Sequence, residues 1–121
     1  MNKEHLIEYC LSKSGAYLDF PFAGDDYAVI KLKNEKTQKY RIFAEVFVLY
    51  NQNMLTFSTD SELAVILRNQ YPDIVIKGYH CPPVQAKYKS SVYLDKMNEE
   101  MIKKFIDCSY TIAKQKLKIQ Q

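Results

Sequence analysis

Hydrophobic and polar positions along the chain alternate in two distinct periods, and the switches between them mark the elements. Leu6, Ile7, Cys10 and Leu11 recur at helical spacing behind Asn2, a residue suited to capping, with Gly15 as a stop. From Tyr27 to Lys33 the period changes to two: Ala28, Ile30 and Leu32 fall on one side, Lys31 and Lys33 on the other. Lys39 to Tyr50 repeats this, with Tyr40, Ile42, Ala44, Val46 and Val48 sharing one face. Lys39, Arg41, Phe43, Glu45, Phe47 and Leu49 share the opposite face. The polar stretch from Asn34 to Gln38 reads as the turn of a hairpin with a basic tip.

The intervening segment from Tyr17 to Asp26 holds Pro21, Gly24 and two adjacent aspartates, which predicts an irregular connection pinned to the core by Phe20 and Phe22. Asn51-Gln52-Asn53 turns the chain into a short third strand, Met54 to Ser58. Thr59-Asp60-Ser61-Glu62 has the form of a capping box led by Thr59. The helix that follows would turn Leu63, Ile66, Leu67 and Tyr71 inward and end at Pro72. Ile74 to Tyr79 and Ser91 to Leu94 predict two more strands around a loop broken by Pro82 and Pro83. A last helix starts at Asn98, with Glu99 and Glu100 in its first turn and Lys114, Lys116 and Lys118 near its end, as the helix dipole favours. Its inward stripe is Met101, Ile102, Phe105, Ile106, Ser109, Ile112 and Ala113. The order α-β-β-β-α-β-β-α predicts an α+β fold, a two-layer α/β sandwich with a mainly antiparallel five-stranded sheet.

At 121 residues the whole chain, 1–121, is expected to form a single domain whose last few residues fray. Cys10, Cys81 and Cys108 form an odd set without metal-ligand spacing, which fits a reduced cytoplasmic setting and argues against zinc. The longest apolar-rich run, Ile42 to Tyr50, contains Glu45 and falls far short of a membrane span. The adjacent pair His80-Cys81 has base and nucleophile character, but no third group that would orient it is evident. His80 is expected to end a strand and make a structural hydrogen bond. No phosphate-cradling glycine loop or hydrolase motif occurs, so the chain is expected to be neither an enzyme nor a cofactor protein.

The net charge of +3 is modest, and its distribution says more. Lys31, Lys33, Lys36, Lys39 and Arg41 meet one acid, Glu35, between positions 31 and 41; Lys77, Lys87 and Lys89 meet none between 77 and 89. Positions 1–30 and 42–76 are each net acidic. Tyr79 and Tyr88 accompany the second basic segment, and tyrosines among lysines can stack on bases while the ammonium groups meet phosphates. Read alone, the same tyrosines serve equally to cover a sheet with their hydroxyls wet, and lysines on a hairpin to keep it soluble.

Several pieces in order resemble the MmcQ/YjbR family: Gly15-Ala16-Tyr17 with Asp19-Phe20-Pro21-Phe22, Ala28-Val29-Ile30-Lys31, the helix from Asp60 to Tyr71 running into Pro72, Gly78-Tyr79-His80, Val92-Tyr93-Leu94-Asp95, and Ile106-Asp107 with Ser109-Tyr110. The resemblance implies a two-layer sandwich related to secretion chaperones and frataxin-like proteins. It also implies DNA binding by a double-wing arrangement of two projecting hairpins, with no catalytic residues. After Tyr-His the chain departs from the family pattern: Cys81 to Ala86 replaces a shorter stretch, and Lys87-Tyr88-Lys89 stands where a tryptophan is expected. The expected reading is a monomeric, metal-free DNA-binding protein using Lys31, Lys33, Lys36, Lys39, Arg41, Lys77, His80, Lys87, Tyr88 and Lys89, with low sequence specificity. The alternative is a chaperone-like module that holds a peptide or protein partner.

Overall fold

The computed structural model describes residues 1–20 and 26–119. Their elements run α1 (Lys3–Leu11), β1 (Ala16–Asp19), β2 (Ala28–Lys33), β3 (Tyr40–Leu49), β4 (Gln52–Ser58), α2 (Ser61–Gln70), β5 (Val75–Lys77), β6 (Lys89–Tyr93) and α3 (Glu99–Leu117). Short 3₁₀ turns lie at Gln85–Lys87 and Leu94–Lys96. The strands form one antiparallel sheet in the order β1-β2-β3-β4-β6-β5. The α+β class is as expected, but the sheet has six strands rather than five. The extra one is β1, which lies where an irregular connection was expected. It is a four-residue edge strand defined by backbone pairing, Ala16 opposite Leu32 through Asp19 opposite Val29, and its side chains carry no clean alternation.

Register carries the core across the sheet. Ala28, Val46, Leu55, Val92 and Val75 are successive cross-strand partners, all buried and all facing the helices. The adjacent row Val29, Glu45, Thr56, Ser91 and Ile76 points the other way, because side chains alternate along every strand. Against the first face pack Leu6 and Cys10 of α1, Leu67 of α2, and Ile102, Phe105, Ile106, Ala113 and Leu117 of α3. Phe57 of β4 and Phe105 of α3 stack with centroids 4.4 Å apart. No helix among the described residues is long and apolar enough to cross a membrane.

The alternation expected for β3 breaks at a bulge. Ile30 pairs with Ala44 but Lys31 pairs with Ile42, which leaves Phe43 as an extra residue on β3. Phe43 and Ala44 are consequently both buried, although strict alternation assigns them to opposite faces. On its other side β3 stops pairing with β4 at Glu45 opposite Thr56. Beyond that point the Ser109 hydroxyl of α3 donates to the Phe43 carbonyl at 2.6 Å and accepts from the Ser58 N–H at 3.0 Å. One side chain thus completes a rung that the two strands leave open, and the sheet forks around α3.

Helix ends follow local chemistry, with some corrections. Asn2 caps α1 by accepting from the His5 N–H, but the helix closes at Ser12, and Gly15 serves the turn into β1 with φ of 81°. Asp60, not Thr59, caps α2, accepting from the Leu63 N–H at 2.7 Å. Thr59 is held in the preceding extended segment, where its N–H donates to the Tyr88 carbonyl, so the helix begins one residue later. Leu67 is buried and Leu63 and Tyr71 pack against the core as expected; Ala64 is buried with them, while Ile66 is exposed. Phe20 is 56% exposed and does not pin its segment to the core; Phe22 lies outside the described residues. Asn98 caps α3 as expected.

Candidate nucleic-acid interface

The fork between β3 and β4 opens into a cleft of about 420 Å³. Lys39, Tyr40 and Arg41 enter it from the first basic segment, Tyr88 and Lys89 from the second, and Lys116 from the last turn of α3. Ile42, Ile112, Ala113 and Leu117 give it an apolar lining, and Ser58, Gln85 and Ser109 add polar groups. No aspartate or glutamate is among its lining residues. Lys39, Arg41 and Lys116 are exposed and make no ion pair among the described residues. Lys89 is half-buried with its ammonium 3.9 Å from Glu45, and the Lys116 ammonium lies 4.9 Å from the centroid of the Tyr88 ring. Four cations around one concavity, one of them paired with a carboxylate, make a positive field that suits an anion.

The wall formed by residues 85–89 is fixed from behind by Arg68 of α2. Its guanidinium donates to the Ser90 hydroxyl at 3.1 Å, to the Ala86 carbonyl at 2.6 Å and to the Lys89 carbonyl. Burial pulls this guanidinium below its ordinary pKa, and the three acceptors satisfy its donors. Gly78 lets the two ends of the loop approach. A Cβ there would stand 2.9 Å from Cys81 Sγ and 3.2 Å from the Lys89 carbonyl oxygen, and the Gly78 N–H donates to that same oxygen. Tyr79 then stacks on Phe47, which stacks in turn on Tyr27, and the Tyr79 N–H donates to the Ser91 hydroxyl.

Of the ten residues singled out in the sequence, the fold gathers Lys39, Arg41, Tyr88 and Lys89 into the cleft. Lys31 is committed elsewhere: it pairs with Asp19 at 2.8 Å, a hydrogen bond that raises its pKa, and sits 4.4 Å from the Tyr40 ring. Lys33 and Lys36 line a separate hollow of about 400 Å³ at the hairpin turn, beside Lys118. That turn is tied to α3 by the Asn34 amide, which donates to the Leu117 carbonyl at 2.7 Å. Lys77 is exposed on the edge strand β5, and Lys87 is exposed on the 3₁₀ turn. His80 does not end a strand: β5 stops at Lys77, and His80 occupies a left-handed turn at φ of 56° with its ring 4.1 Å from Tyr79, a ring contact rather than the expected hydrogen bond. Lys116 and Arg68 were missed. Lys116 reads in sequence as a dipole-complementing base at a helix end, and Arg68 is marked only as the sole base between positions 42 and 76.

The stretch from Ile106 to Tyr110 is structural. Asp107 accepts from the Tyr9 hydroxyl at 2.6 Å and pairs with Lys13 at 2.5 Å, and the Tyr110 hydroxyl donates to the Ser14 carbonyl at 2.5 Å, so α3 grips α1 and the turn after it. With Ser109 at the fork, this segment fixes the position of α3 against the sheet. A family model described as YjbR matches residues 11–112. The chain belongs to the YjbR family. It is 28% identical to the Escherichia coli protein YjbR over 114 residues, covering 93% of this chain and 87% of that protein. Among solved structures it is similar to the Deinococcus radiodurans protein DR2400, with domain DUF419, at a TM-score of 0.79 and 22% identity, covering 97% and 88% of the two chains. A Pseudomonas syringae protein superposes with a TM-score of 0.72 at 19% identity over 93% and 99%. These two likenesses establish a shared fold. Within the YjbR sandwich, the cationic cleft is built where Ser109 holds β3 and β4 apart.

Proposed function

We propose that this protein is a non-enzymatic DNA-binding protein that holds phosphates in the cleft between β3, β6 and α3. The observation that carries the reading is convergence: two basic segments about forty residues apart, separated by an acidic one, deliver Lys39, Arg41 and Lys89 to one concavity that also receives Lys116. Had those segments faced opposite ways, their charges would read simply as solvated surface. Contacts of lysine and arginine to phosphates position a nucleic acid without reading its sequence, so specificity is low. Such a role suits the cytoplasm, where the free thiols Cys10, Cys81 and Cys108 stay reduced.

The test is equilibrium binding of labelled DNA at low salt to the wild-type protein and to Lys39→Glu/Arg41→Glu. Both residues are exposed, so the fold tolerates the change. The wild type binds, and the double variant binds at least about tenfold more weakly, an on-the-order loss for two phosphate contacts. Absence of binding by the wild type, or equal binding by the variant, removes the proposal.

A further inference from the structure

The dimensions of the cleft bear on the form of nucleic acid that enters it, an inference that rests on the DNA-binding reading above. Its volume of about 420 Å³ lies toward the small end of ligand pockets, which run from about 300 to 1,000 Å³. One base with its sugar and phosphate fits such a space; a duplex can meet only the rim. The lining also has the two chemistries that a single nucleotide requires. Tyr40 and Tyr88 line it together with Lys39, Arg41 and Lys89.

Tyr88 is held ready for stacking. Its carbonyl accepts from the Thr59 N–H at 2.9 Å, its N–H donates to the Gln85 carbonyl at 3.1 Å, and Arg68 clamps the carbonyls of Ala86 and Lys89 on either side. A platform fixed in this way loses little freedom when a base settles on it. The Lys116 ammonium lies over the Tyr88 ring, 4.9 Å from its centroid, so a base that stacks on that face displaces this exposed, flexible side chain. Stacking on an aromatic platform is open to an unpaired base, because every base has a π-face, whereas in a duplex the neighbouring base pairs cover both faces of each base.

We infer that the cleft receives one unpaired nucleotide, its base against Tyr88 and its phosphate among Lys39, Arg41 and Lys89, so that the protein selects single-stranded over duplex DNA. The experiment compares a short fluorescein-labelled oligothymidylate with a hairpin duplex of equal phosphate number, by anisotropy, on wild type, Tyr88→Ala and Tyr88→Phe. The wild type binds the oligothymidylate at least about tenfold more tightly than the duplex. Tyr88→Ala loses about 5- to 150-fold on the single strand, the range for one stacked base, while Tyr88→Phe keeps its affinity. Equal affinity of the wild type for the two probes, or loss in Tyr88→Phe equal to that in Tyr88→Ala, overturns the inference and leaves DNA binding standing. Failure to bind either probe overturns both. The wild-type ratio of the two affinities decides the matter even if Tyr88→Ala does not fold.

Discussion

Replacing Ser109 by alanine removes one hydroxyl from the centre of the molecule. Its oxygen is the only bridge that the described hydrogen bonds give between the Phe43 carbonyl and the Ser58 N–H, and the residue is 1% exposed. Without it a buried acceptor and a part-buried donor at the edge of the cleft both lose their partner, and each such loss costs about 1–3 kcal/mol, the donor toward the low end. Allowing the strands to close part of the gap, the loss is about 2–4 kcal/mol. For 121 residues the unfolding entropy is about 0.25 kcal/mol per degree, so the melting temperature falls by about 8–16 °C. Thermal and denaturant unfolding followed by circular dichroism measure it. Thr111→Ala is the control: Thr111 lies on the exposed side of the same helix, its hydroxyl bonds only to the Asp107 carbonyl, and its removal shifts stability by less than about 0.5 kcal/mol. If Ser109→Ala melts within about 0.5 kcal/mol of wild type, the hydroxyl does not complete the rung and the account of the fork is wrong.

Gly78→Ala forces a methyl group to within 3.2 Å of a backbone oxygen that cannot yield, and is expected to lower stability by about 1–3 kcal/mol; an unchanged denaturant midpoint contradicts the close approach. Burial pushes the Asp107 carboxyl up, but hydrogen bonds from Lys13 and Tyr9 outweigh it and hold the pKa below its ordinary value. A carboxyl depressed on folding stabilises the protein above its unfolded pKa, and the benefit fades as pH falls through the folded value. The stability gap between wild type and Asp107→Asn is therefore widest near neutrality and narrows below the ordinary carboxylate range; a gap independent of pH contradicts this.

Much of the fold was legible because its periods are clean. Ala28, Ile30 and Leu32 alternate with lysines, α3 carries an unbroken stripe ending near Ala113, and the caps Asn2 and Asn98 stand where polar residues precede apolar repeats. What escaped depends on backbone or tertiary geometry. Strand β1 is an edge strand with one partner, and its four residues alternate too little to announce it. The bulge at Phe43 follows from the register of β2 against β3, which no periodicity within β3 encodes. Charge patterning picked out Lys39, Arg41 and Lys89, but not that Lys31 would be neutralised by Asp19 or that Lys33 and Lys36 would lie outside the cleft. The partnership of Lys116 with Tyr88 joins two elements distant in sequence, and Arg68 acts through carbonyls, which leave no trace in residue identity.

Salt dependence tests the central claim, that Lys39, Arg41, Lys89 and Lys116 form one phosphate-binding cleft, most directly. The logarithm of the binding constant falls against the logarithm of salt by about 0.9 per neutralised phosphate on duplex DNA and about 0.7 on a single strand. Four cations that each neutralise one phosphate of the strand, those of the nucleotide in the cleft and of its neighbours, give a slope of about −2.8 on a single strand, so affinity drops roughly 50-fold between about 50 and 200 mM salt. Lys39→Glu/Arg41→Glu reduces the slope by at least half, whereas Lys36→Glu/Lys77→Glu, outside the cleft, leaves it nearly unchanged. A slope near zero for the wild type, or equal reductions in both double variants, contradicts the cleft as the binding site.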